Sequence, residues 1–82
     1  MKVHVKVFPI AGLCDRTKKL DIALEDGSMN ELQACLRERL DVNNHKIETL
    51  MFLHNGHALD KQKDAVFKDG DQLWLMPVIS GG

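Results

Sequence analysis

The chain has 82 residues, 44% hydrophobic and 28% charged, a composition that folds on its own rather than staying disordered. A domain of this size buries only about 60% of the surface its unfolded chain exposes, which leaves little room for a deep, enclosed active site. Eleven Lys+Arg against twelve Asp+Glu give a formal net charge of -1, and no stretch gathers lysines or arginines into a run. No nucleic acid and no membrane partner is therefore expected.

The opening residues Met1-Lys2-Val3-His4-Val5-Lys6-Val7 alternate polar and apolar side chains. That pattern is neither a secretion signal nor a membrane span, so a cytoplasmic protein is expected. It predicts a half-buried strand running through Phe8 and ended by Pro9. A loop with Gly12 and Asp15 leads to a second alternating run, Leu20, Ile22 and Leu24, which reads as a strand hairpinned to the first. Two cysteines in such a chain are reduced thiols: Cys14 falls in the loop and Cys35 on the apolar side of a helix further on.

Ser28-Met29-Asn30-Glu31 is a Ser-x-x-Glu capping box, in which each end satisfies an orphan backbone N–H. It opens a helix whose Met29, Leu32, Leu36 and Leu40 recur at steps of three and four and must lie on a sheet. Asp41 to Glu48 reads as polar and irregular, and Thr49 to Leu53 as a short, nearly all-apolar strand. Asn55-Gly56 signals a tight hairpin with Ala58-Leu59 as a brief return strand. Ala65-Val66-Phe67 reads as a turn that plugs the core with Val66 and Phe67, and Asp69-Gly70-Asp71 as another tight turn.

The last strand, Gln72 to Pro77, is apolar on both faces, with Leu73 and Leu75 on one and Trp74 and Met76 on the other. Strand, strand, helix, strand, short strand, strand is the plan of an α+β β-grasp (ubiquitin-like) fold, a mixed four- to five-stranded sheet over one main helix. The first and last strands then pair in parallel at its centre. With Leu73 and Leu75 under the helix, Trp74 and Met76 remain on the open face and mark a protein contact patch.

The final residues, Asp69-Gly70-Asp71-Gln72-Leu73-Trp74-Leu75-Met76-Pro77-Val78-Ile79-Ser80-Gly81-Gly82, resemble the C-terminal signature of the MoaD/ThiS family of sulfur carriers. In that family a Gly-Asp turn precedes an apolar strand, a proline and a terminal Gly-Gly. The likeness extends to length and element order, and it is closer to the small subunit of molybdopterin synthase. This chain has one proline fewer than that subunit's usual ending, and its first loop lacks the family's usual Arg-Glu pair.

The resemblance implies a carrier rather than an enzyme, with a domain at 1–77 and a flexible tail at 78–82. On that resemblance, the Gly82 carboxylate is expected to be adenylated by a ubiquitin-activating-type (MoeB/ThiF-like) enzyme and converted to a thiocarboxylate with sulfur from a donor. The sulfur is then expected to pass to a synthase, MoaE-like for molybdenum cofactor or thiazole synthase for thiamin. The resemblance also implies that the chain itself binds no cofactor and that ATP and Mg are used by the activating partner.

Physical chemistry explains such a tail. Coupling a carboxylate to AMP opens its carbonyl to attack, and the thiocarboxylate that results is a soft nucleophile. Val78, Ile79, Ser80, Gly81 and Gly82 extend to about 17 Å, enough to thread a partner's channel, and the glycines pass where a Cβ would not. Affinity must then come from a docking surface, for which Trp74, Met76 and Pro77 with Met51 and Leu53 are the candidates.

Rival readings attach to the same residues. The glycines could be a frayed end or an expression scar, the chain could be a modifier joined to lysines through Gly82, or it could be a plain binding module. His54 and His57 flank the hairpin turn but lack the further ligands of a zinc site, and both are expected to point to solvent. Asp69 and Asp71 read as turn formers, Ser28 as a cap, and Cys14 as an unreactive thiol.

Overall fold

The computed structural model describes residues 1–59 and 66–77; the readings placed on Ala65 and on the tail at 78–82 lie outside the described residues. The elements follow in the order β1 (Lys2–Val7), β2 (Lys18–Ala23), α1 (Met29–Leu40), α2 (Asn44–Glu48), β3 (Leu50–His54), β4 (His57–Leu59) and β5 (Gln72–Pro77). They build a five-stranded mixed sheet in the order β2-β1-β5-β3-β4. β1 and β2 are antiparallel, and β1 and β5 lie parallel at the centre. That parallel pair requires the long crossover that carries α1, as the sequence pattern led one to expect.

Parity decides what lies inside. Val3, Val5 and Val7 of β1, Leu73 and Leu75 of β5, and Leu50 and Phe52 of β3 are all buried, and α1 closes over them with Met29, Leu32 and Leu36. Each fully buried aliphatic or aromatic side chain contributes about 1.5–3 kcal/mol through loss of water contact, so the valine-leucine stripes are the main source of the sheet's stability.

The capping box forms in modified shape. Ser28 Oγ accepts the Glu31 N–H at 3.1 Å, but the Glu31 carboxylate reaches past the cap. It accepts the N–H groups of Glu25, Asp26 and Gly27 at 2.7, 3.0 and 3.1 Å, while Ser28 N–H is satisfied by Asp26 Oδ1 at 2.8 Å. Gly27 sits at φ 72°, and a Cβ there would stand 2.7 Å from the Phe67 carbonyl oxygen, so only glycine fits.

Three local readings need correction. Residues 44–48 form the short helix α2 rather than an irregular stretch; Asn43 caps it by accepting the Lys46 N–H at 2.9 Å, and Ile47 is buried. Val66 is not a core plug: it bridges Ser28 at the surface and is 70% exposed, whereas Phe67 is fully buried. The cause is parity, because neighbouring residues of an extended segment face opposite ways. Once Phe67 N–H donates to Gly27 O at 2.8 Å, Val66 must face water. His54, expected in solvent, is half-buried with its ring edge-on to Phe67 at 4.9 Å.

The hairpin between β3 and β4 turns at Asn55 (φ 50°) and Gly56 (φ 88°), the pair of positive φ angles that Asn-Gly tolerates. No described helix is long and apolar enough to cross a membrane.

Candidate functional site

The side chains that β5 turns away from α1 define the site. Trp74 stands between Lys6 of β1 and Leu53 of β3, and Met76 stands opposite Met51. The helix covers the other face, so these residues lie on the open side of the sheet, Trp74 at 39% exposure and Met76, Met51 and Leu53 half-buried. Four of the five residues named from sequence as the docking patch are thus brought together. Pro77 differs: it shares the parity of Leu73 and Leu75 and pairs with Leu50 at the end of the strand, beside the patch rather than in it. Val78, Ile79, Ser80, Gly81 and Gly82 lie outside the described residues.

Two members of the face were missed in the sequence. The Phe8 ring meets Trp74 edge-on, with centroids 5.4 Å apart and planes at 72°, the geometry the ring quadrupoles favour. Lys6 Nζ lies 5.1 Å from the Phe8 centroid and 5.7 Å from that of Trp74, a double cation–π contact. The parity signal was present, since Phe8 follows His4 and Lys6 on the side opposite the valines. Which residue of β5 they would meet depends on register, and that is set by tertiary pairing.

Polar bonds at the far end of β5 hold this register. Asp71 Oδ2 accepts from His54 Nε2 at 2.7 Å and from Lys68 N–H at 2.8 Å, and Oδ1 accepts from Asn55 Nδ2 at 3.2 Å. Asn55 Oδ1 in turn accepts the Gln72 N–H at 2.8 Å. The β3–β4 turn is thereby pinned to the first residue of β5, which sets Leu53 against Trp74. Asp69 accepts the Lys2 N–H at 2.7 Å and ties β1 to the same corner. Asp69 and Asp71 are turn formers, as read from sequence, with Asp71 as the hub.

Partial burial by itself would raise the Asp71 carboxyl, but the bonds from Lys68 N–H, His54 and Asn55 outweigh it and hold the group below the usual carboxylate range. A depressed folded-state pKa contributes stability that is present above the unfolded value of about 3.9 and lost as pH falls through the lower folded value. Asp71→Asn is therefore expected to lower stability at neutral pH and to give a shallower fall on acidification, read as urea midpoints across a pH series.

The thiols stand apart from this face. Cys14 is half-buried, with Sγ 3.5 Å from the Phe8 carbonyl oxygen. Burial, reinforced by Glu31 and Glu38, pushes the Cys35 thiol up, away from the reactive thiolate form. Among the described residues, no three His, Cys, Asp or Glu side chains converge to hold a metal ion.

No protein-family model matches the sequence, and no curated protein sequence does. Solved structures do. The chain superposes over its whole length on a whole chain of the protein–protein complex of subunits 1 and 2 of molybdopterin-converting factor from Helicobacter pylori 26695, with a TM-score of 0.65 and 23% identity. It does so equally, at full coverage of both chains, on SAMP1 from Haloferax volcanii, with a TM-score of 0.66 and 22% identity. The element order, the sheet order and these likenesses define a β-grasp, ubiquitin-like fold. At such identity the likeness is one of fold, and it meets the fold expected from the MoaD/ThiS-type ending of the sequence.

Proposed function

We infer that the protein is a sulfur carrier that works through the carboxylate of Gly82, activated as an acyl adenylate and converted to a thiocarboxylate. The observation that carries this reading is the position of the open patch. Trp74 and Met76 lie on β5, whose last residue Pro77 immediately precedes residues 78–82 in the sequence, which supports a reading in which a partner seated on the patch takes up the tail. The whole-length likeness to a chain of a molybdopterin-converting factor complex supports molybdenum-cofactor synthesis as the pathway, ahead of thiamin.

The division of labour follows from physical chemistry. Ordering a five-residue tail costs roughly 1–2 kcal/mol per residue, a cost the docking face must offset. A carrier of this kind supplies no catalytic side chain: its partners provide ATP, Mg and sulfur, and a synthase subunit receives the product. The adenylation step is tested with a purified MoeB/ThiF-type enzyme and labelled pyrophosphate. Exchange of label into ATP that depends on this chain is the expected result, and its absence with an enzyme active on its own carrier argues against the reading. Lysine-linked adducts in cell extracts, without thiocarboxylate, would favour a protein modifier instead.

Trp74→Ala separates docking from folding. Loss of the aromatic pair with Phe8 is expected to cost about 1 kcal/mol of stability, and loss of a central anchor about 2 kcal/mol or more of partner affinity. The two are read by thermal melting and by titration of the activating enzyme. A large fall in melting temperature with affinity intact would reverse the roles of the two sheet faces.

A further inference from the structure

The open face is divided in character. From Trp74 toward β3 it is apolar, with Met76, Met51 and Leu53. From Trp74 toward β2 it is cationic: Lys6 pairs in register with Lys19, and together with His4, Asp21, Gln72 and Trp74 they line a shallow groove of about 320 Å³. Among the described residues neither Lys6 nor Lys19 forms an ion pair. Asp21, the carboxylate beside them, is occupied by His4 at 2.8 Å, and that hydrogen bond holds it below the usual range.

Lysines on a surface are ordinarily mobile, and immobilising one on binding costs side-chain entropy. Lys6 lies over two aromatic rings, so part of that cost has been met before a partner arrives. A carboxylate is the complementary group, because it can approach the ammonium from the solvent side while the rings hold the other.

We propose that the groove beside Trp74 receives the acidic side chain of a partner protein. The partner segment would be acidic and amphipathic, with an apolar anchor on Trp74 and Met76 and a flanking Asp or Glu on Lys6 and Lys19. This rests on the reading of the open face as the docking surface of a carrier and deepens it by giving the partner's chemistry. A polyanion such as RNA fits less well, because only two unpaired lysines lie in the groove and the adjoining half of the face is apolar.

Trp74 is the single tryptophan of the chain, so its fluorescence reads the site directly. The full chain is titrated with two short synthetic peptides that share Leu and Phe anchors, lack Trp, and differ in having Glu or Lys at the flanking positions. The Glu peptide is expected to bind roughly tenfold more tightly at low ionic strength, since its carboxylates are attracted to Lys6 and Lys19 where the Lys peptide is repelled by both, with the advantage shrinking as salt screens it. Lys6→Glu, with its fold verified by circular dichroism, is expected to reverse the preference.

Equal affinity for the two peptides, binding of neither, or a preference that Lys6→Glu leaves unchanged overturns the proposal. So does tighter binding of a single-stranded oligonucleotide at the same ionic strength. The peptides do not involve Gly82, so a chain lacking that residue should give the same titration. Acid preference without carrier chemistry would refute the carrier and leave the surface standing, and carrier chemistry without acid preference would refute only the surface.

Discussion

Removing Gly82 is expected to abolish ATP-dependent activation of the chain while leaving its melting temperature unchanged. On the proposed reading, the group that reacts is the carboxylate of this residue. Shortening the tail by one residue withdraws that carboxylate by about 3.4 Å, several times the tolerance of about 1 Å within which a reacting group must be held. It also leaves a chain ending Ser80-Gly81. Among the described residues the core is built mainly from β1, β3, β5 and α1, so the fold is expected to survive the change. Pyrophosphate exchange and a thermal melt on the same preparation give both readouts. Activation that persists in the shortened chain would move the chemistry away from Gly82, and a lowered melting temperature would mean that the tail packs on the domain.

Phe67→Ala is expected to be far more damaging than Val66→Ala. Its ring is fully buried, edge-on to His54, and its backbone N–H closes onto Gly27. Deleting a buried phenylalanine costs about 3–5 kcal/mol through lost transfer energy and the cavity left behind. A domain of this size has only about 5–15 kcal/mol in total, so the urea midpoint should fall steeply. Val66→Ala, one residue away but 70% exposed, is expected to change stability by no more than about 0.5 kcal/mol. Comparable losses from both would contradict the parity of this segment.

The parts of the fold that were legible in the sequence share one property, a period that repeats often enough to be unambiguous. The valines of β1 alternate three times, and Met29, Leu32 and Leu36 mark a helix face over two turns. Asn55-Gly56 declares its own backbone angles. The alternation of Leu73 and Leu75 with Trp74 and Met76 marked which face of β5 is open, and with it most of the proposed docking patch.

What was not legible depended on a single residue or on pairing. Among its described side chains α2 buries one, Ile47, too few for a helical period to emerge, although Asn43 was available as a cap. Val66 and Phe67 are adjacent apolar residues, and only the bond from Phe67 to Gly27 decides which is inside. His54 could have been placed, since it shares parity with Leu50 and Phe52; its polarity outweighed that signal, and the Asp71 carboxylate that satisfies it lies 17 residues away. Lys6 and Phe8 join the patch only because β1 pairs with β5 in the register that sets Lys6 beside Trp74.

The central claim, that this chain carries sulfur on its last residue, is tested most directly by intact mass. The protein is incubated with a MoeB/ThiF-type enzyme, ATP, Mg and a sulfur donor, and the product is fragmented to place any change. The account predicts a gain equal to one oxygen-for-sulfur exchange, located at Gly82. An unchanged mass, with an enzyme proven active on its own carrier, would contradict it.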